Sequence, residues 1–290
     1  MFSPGTPSED KQMSTASAGY VSERAGGVAT LTFNRPEVGN AVSAEMVPGL
    51  LGFFRGARSD PSVRCIIIKG VGKHFSTGGD LATYGRLLQA GPDALQREFE
   101  ARLTQVADLV EAVLAFDRPI IAAVKGAVAG AGLMFALAAD FVIADESAMF
   151  LFSHQKVGLP PDGGVSWLLP RLVGHRTASR LILTAARVMA AEAERIGLVS
   201  QLVASDRLEQ EAADFAAPFV TAPQAAVKYA KSLLRSSLET DAAQHLRAER
   251  AAIVACVGDP DFAEGVTSFL EKRQARFLST MESGDSGKDS

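Results

Sequence analysis

Cysteine is almost missing from this chain. Cys65 and Cys256 are the only two among 290 residues, far apart and in unrelated surroundings. That excludes a disulfide framework, and neither cysteine stands at a metal-ligand spacing. Histidine is as sparse: His74, His154, His175 and His245 form no pair at helical spacing, so no metal site is expected. Nor is there an excess of basic charge. The net charge is −4 and the isoelectric point near 5.7, which argues against a nucleic-acid partner. The longest uncharged apolar stretch, Gly126 to Ala139, is too short and glycine-rich to cross a bilayer, so no membrane role is expected. This cysteine usage fits a reducing compartment, the cytoplasm.

What is present is core-forming material, 47% hydrophobic against 21% charged, enough for one large domain or two small ones. Residues 1–18 are rich in Ser, Pro, Gly and Thr and lack an apolar signal core. They read as a disordered tail, neither signal peptide nor anchor, with Met13 as a second candidate start. Val28–Phe33 alternates as a strand, and Ser43 opens a helix reaching about Arg58 with Pro48 in its first turns. Val63–Lys69 is a β-branched, buried strand that runs into a glycine-rich loop, Gly70 to Leu81. Ala94–Phe116 is helical, with Leu103, Val106, Val110, Val113 and Leu114 on its apolar face. Further strands are expected at 120–124, 141–144, 149–152 and 199–203. Helices are expected at 133–139, 164–172, 175–185 and 190–196. From Leu208 the chain reads as helical throughout. Alternating strands and helices predict an α/β core over 19–205 and a helical lobe over 206–280, followed by a short tail, 281–290.

Two glycine-rich turns, Ser76–Asp80 and Gly126–Gly132, carry the first chemical signal. Neither matches a nucleotide-binding fingerprint. Glycines there permit tight strand-to-helix connections; they also allow both turns to aim bare N–H groups at one point, the second at the start of a helix. Two such donors near a carbonyl oxygen make an oxyanion hole. The second signal is Asp162, in Gly158-Leu159-Pro160-Pro161-Asp162-Gly163-Gly164. An aspartate in Pro-Asp-Gly is commonly a turn residue. Beside apolar segments it would instead be partly desolvated and a better base. Asp80 reads as a helix cap, Asp140 as a structural hydrogen-bonding group, and His154 as a packed or capping residue within reach of a pocket. Tyr84 and the loop 85–91 read as lining for that pocket. Lys272 and Arg273 sit on a basic helix face, solvated or set to meet a phosphate.

Several segments together, in this order and spacing, resemble the enoyl-CoA hydratase/isomerase (crotonase) family. They are Asn34-Arg35-Pro36-Glu37-Val38-Gly39-Asn40-Ala41, Phe75-Ser76-Thr77-Gly78-Gly79-Asp80-Leu81, Arg118 to Gly126, Gly130-Ala131-Gly132, Ala138-Ala139-Asp140 and Ala193 to Val199. The resemblance spans about residues 19 to 277. It implies an α/β spiral of ββα units with a helical C-terminal lobe used for trimerisation, in a homotrimer or hexamer. It implies an acyl-CoA thioester as the ligand, with coenzyme A part of the substrate and no separate cofactor. The oxyanion-hole donors fall by position on the N–H groups of Gly79 and Ala131. Coenzyme A contacts fall on Val38, Thr77 and Leu81, and on Phe269 and Lys272 of the same or a neighbouring subunit. The two glutamates of the family's hydratases fall on Met134 and His154, neither of them acidic, and both are placed in the acyl pocket. The acid that remains, Asp162, is similar to the aspartate that phenylacetate-type enoyl-CoA isomerases carry at this turn. The resemblance therefore implies a double-bond shift with Asp162 as the single acid/base. The alternatives are a hydratase, an Asp-nucleophile acyl-CoA dehalogenase or hydrolase, and a non-catalytic acyl-CoA binder.

Overall fold

A computed structural model describes residues 12–17 and 19–281. Its strands are β1 (Gln12–Ser17), β2 (Tyr20–Ala25), β3 (Val28–Phe33), β4 (Cys65–Gly70), β5 (Ile120–Val124), β6 (Ala127–Ala129), β7 (Phe141–Asp145), β8 (Met149–Leu151), β9 (Arg187–Met189) and β10 (Gln201–Val203). The core helices are α1 (Val47–Ser59), α2 (Leu81–Leu87), α3 (Pro92–Leu114), α4 (Ala131–Ala138), α5 (Val165–Val173), α6 (His175–Leu183) and α7 (Ala190–Arg195). The C-terminal helices are α8 (Leu208–Val220), α9 (Gln224–Ser236), α10 (Ala242–Val257), α11 (Pro260–Leu270) and α12 (Leu278–Met281). Part of the expected N-terminal tail is therefore a strand, since β1 pairs antiparallel with β2. Residues 1–11 and 18 of that tail, and 282–290, lie outside the described residues.

The strands form a seven-stranded sheet, in the order β1-β2-β3-β4-β5-β7-β10, and a three-stranded sheet, β6-β8-β9. From β3 onward the large sheet is parallel. The chain places β5 in the large sheet and β6 in the small one, crosses through α4, and repeats the step with β7 and β8. That is the expected spiral of ββα turns.

Parallel inner strands are covered on both faces, so their side chains alternate between two apolar environments. Ile66, Ile68, Ile120, Ala122 and Val124 enter the main core. Their neighbours Cys65, Ile67, Ile121 and Ala123 pack with Leu208, Ala212 and Ala216 of α8 on the opposite face. In α4, every residue from Gly132 to Ala138 is buried, which suits a helix that is apolar all round. Arg118 is buried too. Its guanidinium donates to the carbonyl oxygens of Ala57, Arg58, Asp60 and Val63, closing the C-terminal end of α1.

The C-terminal lobe is tied to the core by an ion pair whose lysine is buried. Lys231 of α9 donates to the Asp140 carboxylate at 2.5 Å and to the Arg118 carbonyl oxygen. The same carboxylate accepts the Ile120 N–H at 2.7 Å, which bears out the structural reading of Asp140. No helix among the described residues is long and apolar enough to cross a membrane.

Candidate active site

The two glycine turns meet. Ser76 donates its N–H to the Ala127 carbonyl and accepts the Ala129 N–H, at 3.1 and 2.9 Å, which binds the two segments into one short ladder. Their glycines then pack backbone to backbone. A Cβ on Gly130 would stand 3.0 Å from Gly78 Cα and 3.5 Å from the Gly79 nitrogen. Both Gly78 and Gly130 have positive φ, +103° and +46°, so side chains there would be both strained and crowded. Just beyond this contact are the N–H groups of Gly79 and Ala131. Neither has an acceptor among the described residues. Ala131 opens α4, so its N–H also carries the partial positive charge of a helix start.

These groups border a cavity of about 190 Å³ enclosed between the glycine turns, α1, α3, α4 and the loop 153–163. Val47, Val106, Leu109 and Met134 make it apolar; Ser43, Tyr84, Arg102, Gln105, Asp80, His154 and Asp162 supply the polar groups. Two acids thus reach it, and they are not equivalent. Asp80 is occupied: it caps α2 by accepting the Thr83 N–H and stands 3.6 Å from Arg35. Among the described residues, the one basic side chain within 4 Å of the Asp162 carboxylate is His154, whose Nε2 is 3.5 Å from Oδ1. The side chain of Asp162 is 51% exposed, so its carboxylate stands half in solvent. Its turn, closed by Gly163 at φ +58° and Gly164 at φ +76°, lifts the carboxylate toward the cavity rather than into the core.

Tyr84 is held beside the donors. A Cβ on Gly79 would lie 2.8 Å from its hydroxyl oxygen. Burial pushes the phenol above its ordinary pKa and the Asp162 charge adds to this, so the hydroxyl keeps its proton. Tyr84 was expected on a loop; it lies on α2, and among the described residues none from 85 to 91 lines the cavity. The Arg102 guanidinium, 6.0 Å from the Tyr84 ring centroid, was not anticipated. Its signal was present in the spacing, since Arg102, Val106 and Leu109 share a face of α3 that differs from the one read from Leu103.

Comparison with known proteins settles the class. The family model described as enoyl-CoA hydratase/isomerase matches residues 23–280. The chain is 35% identical over 254 residues to a crotonyl-CoA hydratase of Syntrophomonas wolfei, covering 87% of this chain and 95% of that protein. It is 33% identical over 256 residues to a 1,2-epoxyphenylacetyl-CoA isomerase of Escherichia coli, covering 87% and 95%. The chain belongs to the enoyl-CoA hydratase/isomerase family. A crystal structure of an enoyl-CoA hydratase from a Polaromonas species superposes with a TM-score of 0.82 at 31% identity, covering 88% of this chain and 98% of that one. The spiral is therefore the crotonase fold.

In this hydratase/isomerase-family chain, Met134 and His154 stand where the resemblance places the two hydratase glutamates, and both line the cavity. Met134 is buried in α4, and a Cβ on Gly163 would sit 3.2 Å from its Cβ, so it also supports the Asp162 turn. Thr77 lines the cavity as well. Its N–H donates to the Gly39 carbonyl oxygen at 2.9 Å and its hydroxyl to that of Val38 at 3.4 Å, so two of the residues assigned to coenzyme A adjoin each other. Leu81 opens α2, and its side chain lies outside the described residues. Phe269 and Lys272 do not line this cavity. Phe269 is 83% exposed and borders a separate apolar cavity of about 450 Å³ with Phe262, Val266, Leu270 and Phe277. Lys272 follows the end of α11, with φ +53°.

Proposed function

We propose that this acyl-CoA enzyme of the enoyl-CoA hydratase/isomerase family shifts a double bond of an enoyl-CoA, with Asp162 as the single acid/base. The observation that carries this reading is the division between the two acids at the cavity. Asp80 is committed to a helix cap and an arginine, which leaves one carboxylate, Asp162, without a structural duty.

The thioester carbonyl oxygen would lie between the Gly79 and Ala131 N–H groups. Charge that develops there on proton removal is stabilised by donors already oriented before the reaction. Asp162 removes a proton from the acyl chain, the electron pair spreads into a dienolate ending on the thioester oxygen, and the protonated carboxyl returns the proton two carbons away. One bond to hydrogen breaks and one forms, so a single group acting first as base and then as acid is sufficient. Val38, Thr77 and Leu81 would lie along the coenzyme A, with Phe269 and Lys272 meeting its nucleotide end. The ligand brings coenzyme A with it, and the steps require no separate cofactor.

A second reading is favoured by the names of the relatives, most of which are hydratases. Water addition is supported less well by this cavity, because Met134 places a thioether where a second carboxylate would position the water. The test is a panel of enoyl-CoA thioesters followed by absorbance and mass. Isomerisation leaves the mass unchanged, whereas hydration adds one water. In that panel Asp162→Asn should lower kcat by about 10²-fold or more. Wild-type turnover in the variant would overturn the reading.

A further inference from the structure

Among the polar residues of the cavity, His154 carries a fully buried ring nitrogen that the single-carboxylate mechanism leaves without a partner. Its side chain is only 14% exposed, and its Nε2 is fully buried without a hydrogen-bond partner among the described residues. Burying a ring nitrogen unpaired costs stability, so a fold that keeps one is holding it for a use outside the fold. That nitrogen lies 3.5 Å from Asp162 Oδ1, slightly beyond a good hydrogen bond. The backbone around it is fixed: His154 opens a one-turn 3-10 helix, His154–Val157, and its carbonyl oxygen accepts the Leu159 N–H at 3.1 Å. Asp162, by contrast, follows two prolines on an exposed turn, with its carboxylate half in solvent. One member of the pair is rigid and unsatisfied; the other is exposed and must change protonation during the reaction.

We propose that His154 is a positioning residue for Asp162, an inference that rests on the isomerase reading above. With its hydrogen on Nε2, the imidazole donates to Oδ1 once substrate displaces solvent and the gap closes. That fixes the rotation of the carboxylate and turns Oδ2 toward the acyl chain. A C–H bond then breaks as an O–H bond forms on Oδ2, and the same O–H breaks as the new C–H forms. His154 gains and loses no proton. Because one fixed oxygen serves both carbons, the proton is carried within the site rather than exchanged with water.

The test is a set of four variants of the full chain, assayed for double-bond shift and for uptake of solvent deuterium. His154→Phe keeps the ring volume but lacks a donor; kcat should fall by about 10-fold or more with KM within about twofold, as expected when geometry alone is lost. Deuterium uptake per turnover should rise. His154→Gln, which retains an N–H donor, should recover most of kcat and confirm that the effect is not a folding defect. In the Asp162→Asn background, adding His154→Phe should change kcat by less than about twofold, since a residue acting through another is non-additive with it. Equal losses in the Phe and Gln variants, unchanged kcat in His154→Phe, or multiplying losses in the double variant would each overturn the proposal. A fully active Asp162→Asn would instead sink the isomerase reading itself, whatever His154 does.

Discussion

Ala131 is the first residue of α4, and that position makes its N–H removable by side-chain chemistry. Proline is tolerated at the start of a helix, because the N–H it lacks has no partner within the helix. Ala131→Pro should therefore keep the fold while deleting one of the two N–H groups proposed as oxyanion donors. The account expects a loss of about 10²–10³-fold in kcat with the thermal midpoint little changed. Unchanged kcat in a folded variant would remove Ala131 from the site. Side chains cannot make the same substitution at Gly79, where any Cβ would press on the Tyr84 hydroxyl. Tyr84 and Asp162 interact at the same scale. Burial, with the Asp162 charge second to it, holds the phenol in its protonated form, so the wall beside the donors offers a hydroxyl rather than a second anion.

Among the elements, legibility in the sequence varies for a physical reason. Strand β5 was readable to the residue, 120–124, because a run of Ile, Ala and Val buried on both faces has one interpretation. The strands β6 and β9 were not: β6 lies inside the glycine turn Gly126–Gly132, and β9 is three residues squeezed between two helices. Helix α2 was hidden by Gly85 and by the glycine run before it, which reads as loop. The face of α3 was half right: Val106, Val110 and Val113 pack inward, but Leu103 is exposed, and the cavity lies along Arg102, Val106 and Leu109 instead. Asp162 itself was visible, but its pairing with His154 was not, because the loop that joins them has no periodicity to follow. The junction between α9 and the sheet was equally invisible in sequence, and it carries its own prediction. Burial pulls the Lys231 ammonium from its ordinary 10.5 down to about 8, against the raising effect of Asp140. Between those values the unfolded chain binds the extra proton, so this residue adds stability as pH rises from about 8 toward 10.5. Urea midpoints of the wild type minus those of Lys231→Met should climb across that window. A difference that stays flat, or falls, would contradict the assignment.

On the scale of the whole molecule, the C-terminal lobe leaves a broad apolar surface uncovered. Leu234, Leu246, Ile253, Val254, Phe269 and Leu270 are each more than 60% exposed, on α9, α10 and α11. A concentration of exposed apolar side chains on one lobe is what an interface with another protein surface would cover. We infer that it joins copies of this chain in a homotrimer or hexamer, which would also bring Phe269 and Lys272 to a neighbour's coenzyme A. Sedimentation should give a mass three or six times that of the chain, and Ile253→Asp with Val254→Asp should shift it toward the monomer. A monomeric wild type would refute this arrangement. The central claim, however, concerns the reaction, and one assay reaches it most directly. Purified enzyme is given an enoyl-CoA, and the product is resolved by mass and double-bond position for the wild type and for Asp162→Asn. The account predicts a product of unchanged mass with its double bond moved, formed at least about 10²-fold more slowly by the variant. A product heavier by one water, or a variant that isomerises at the wild-type rate, would contradict it.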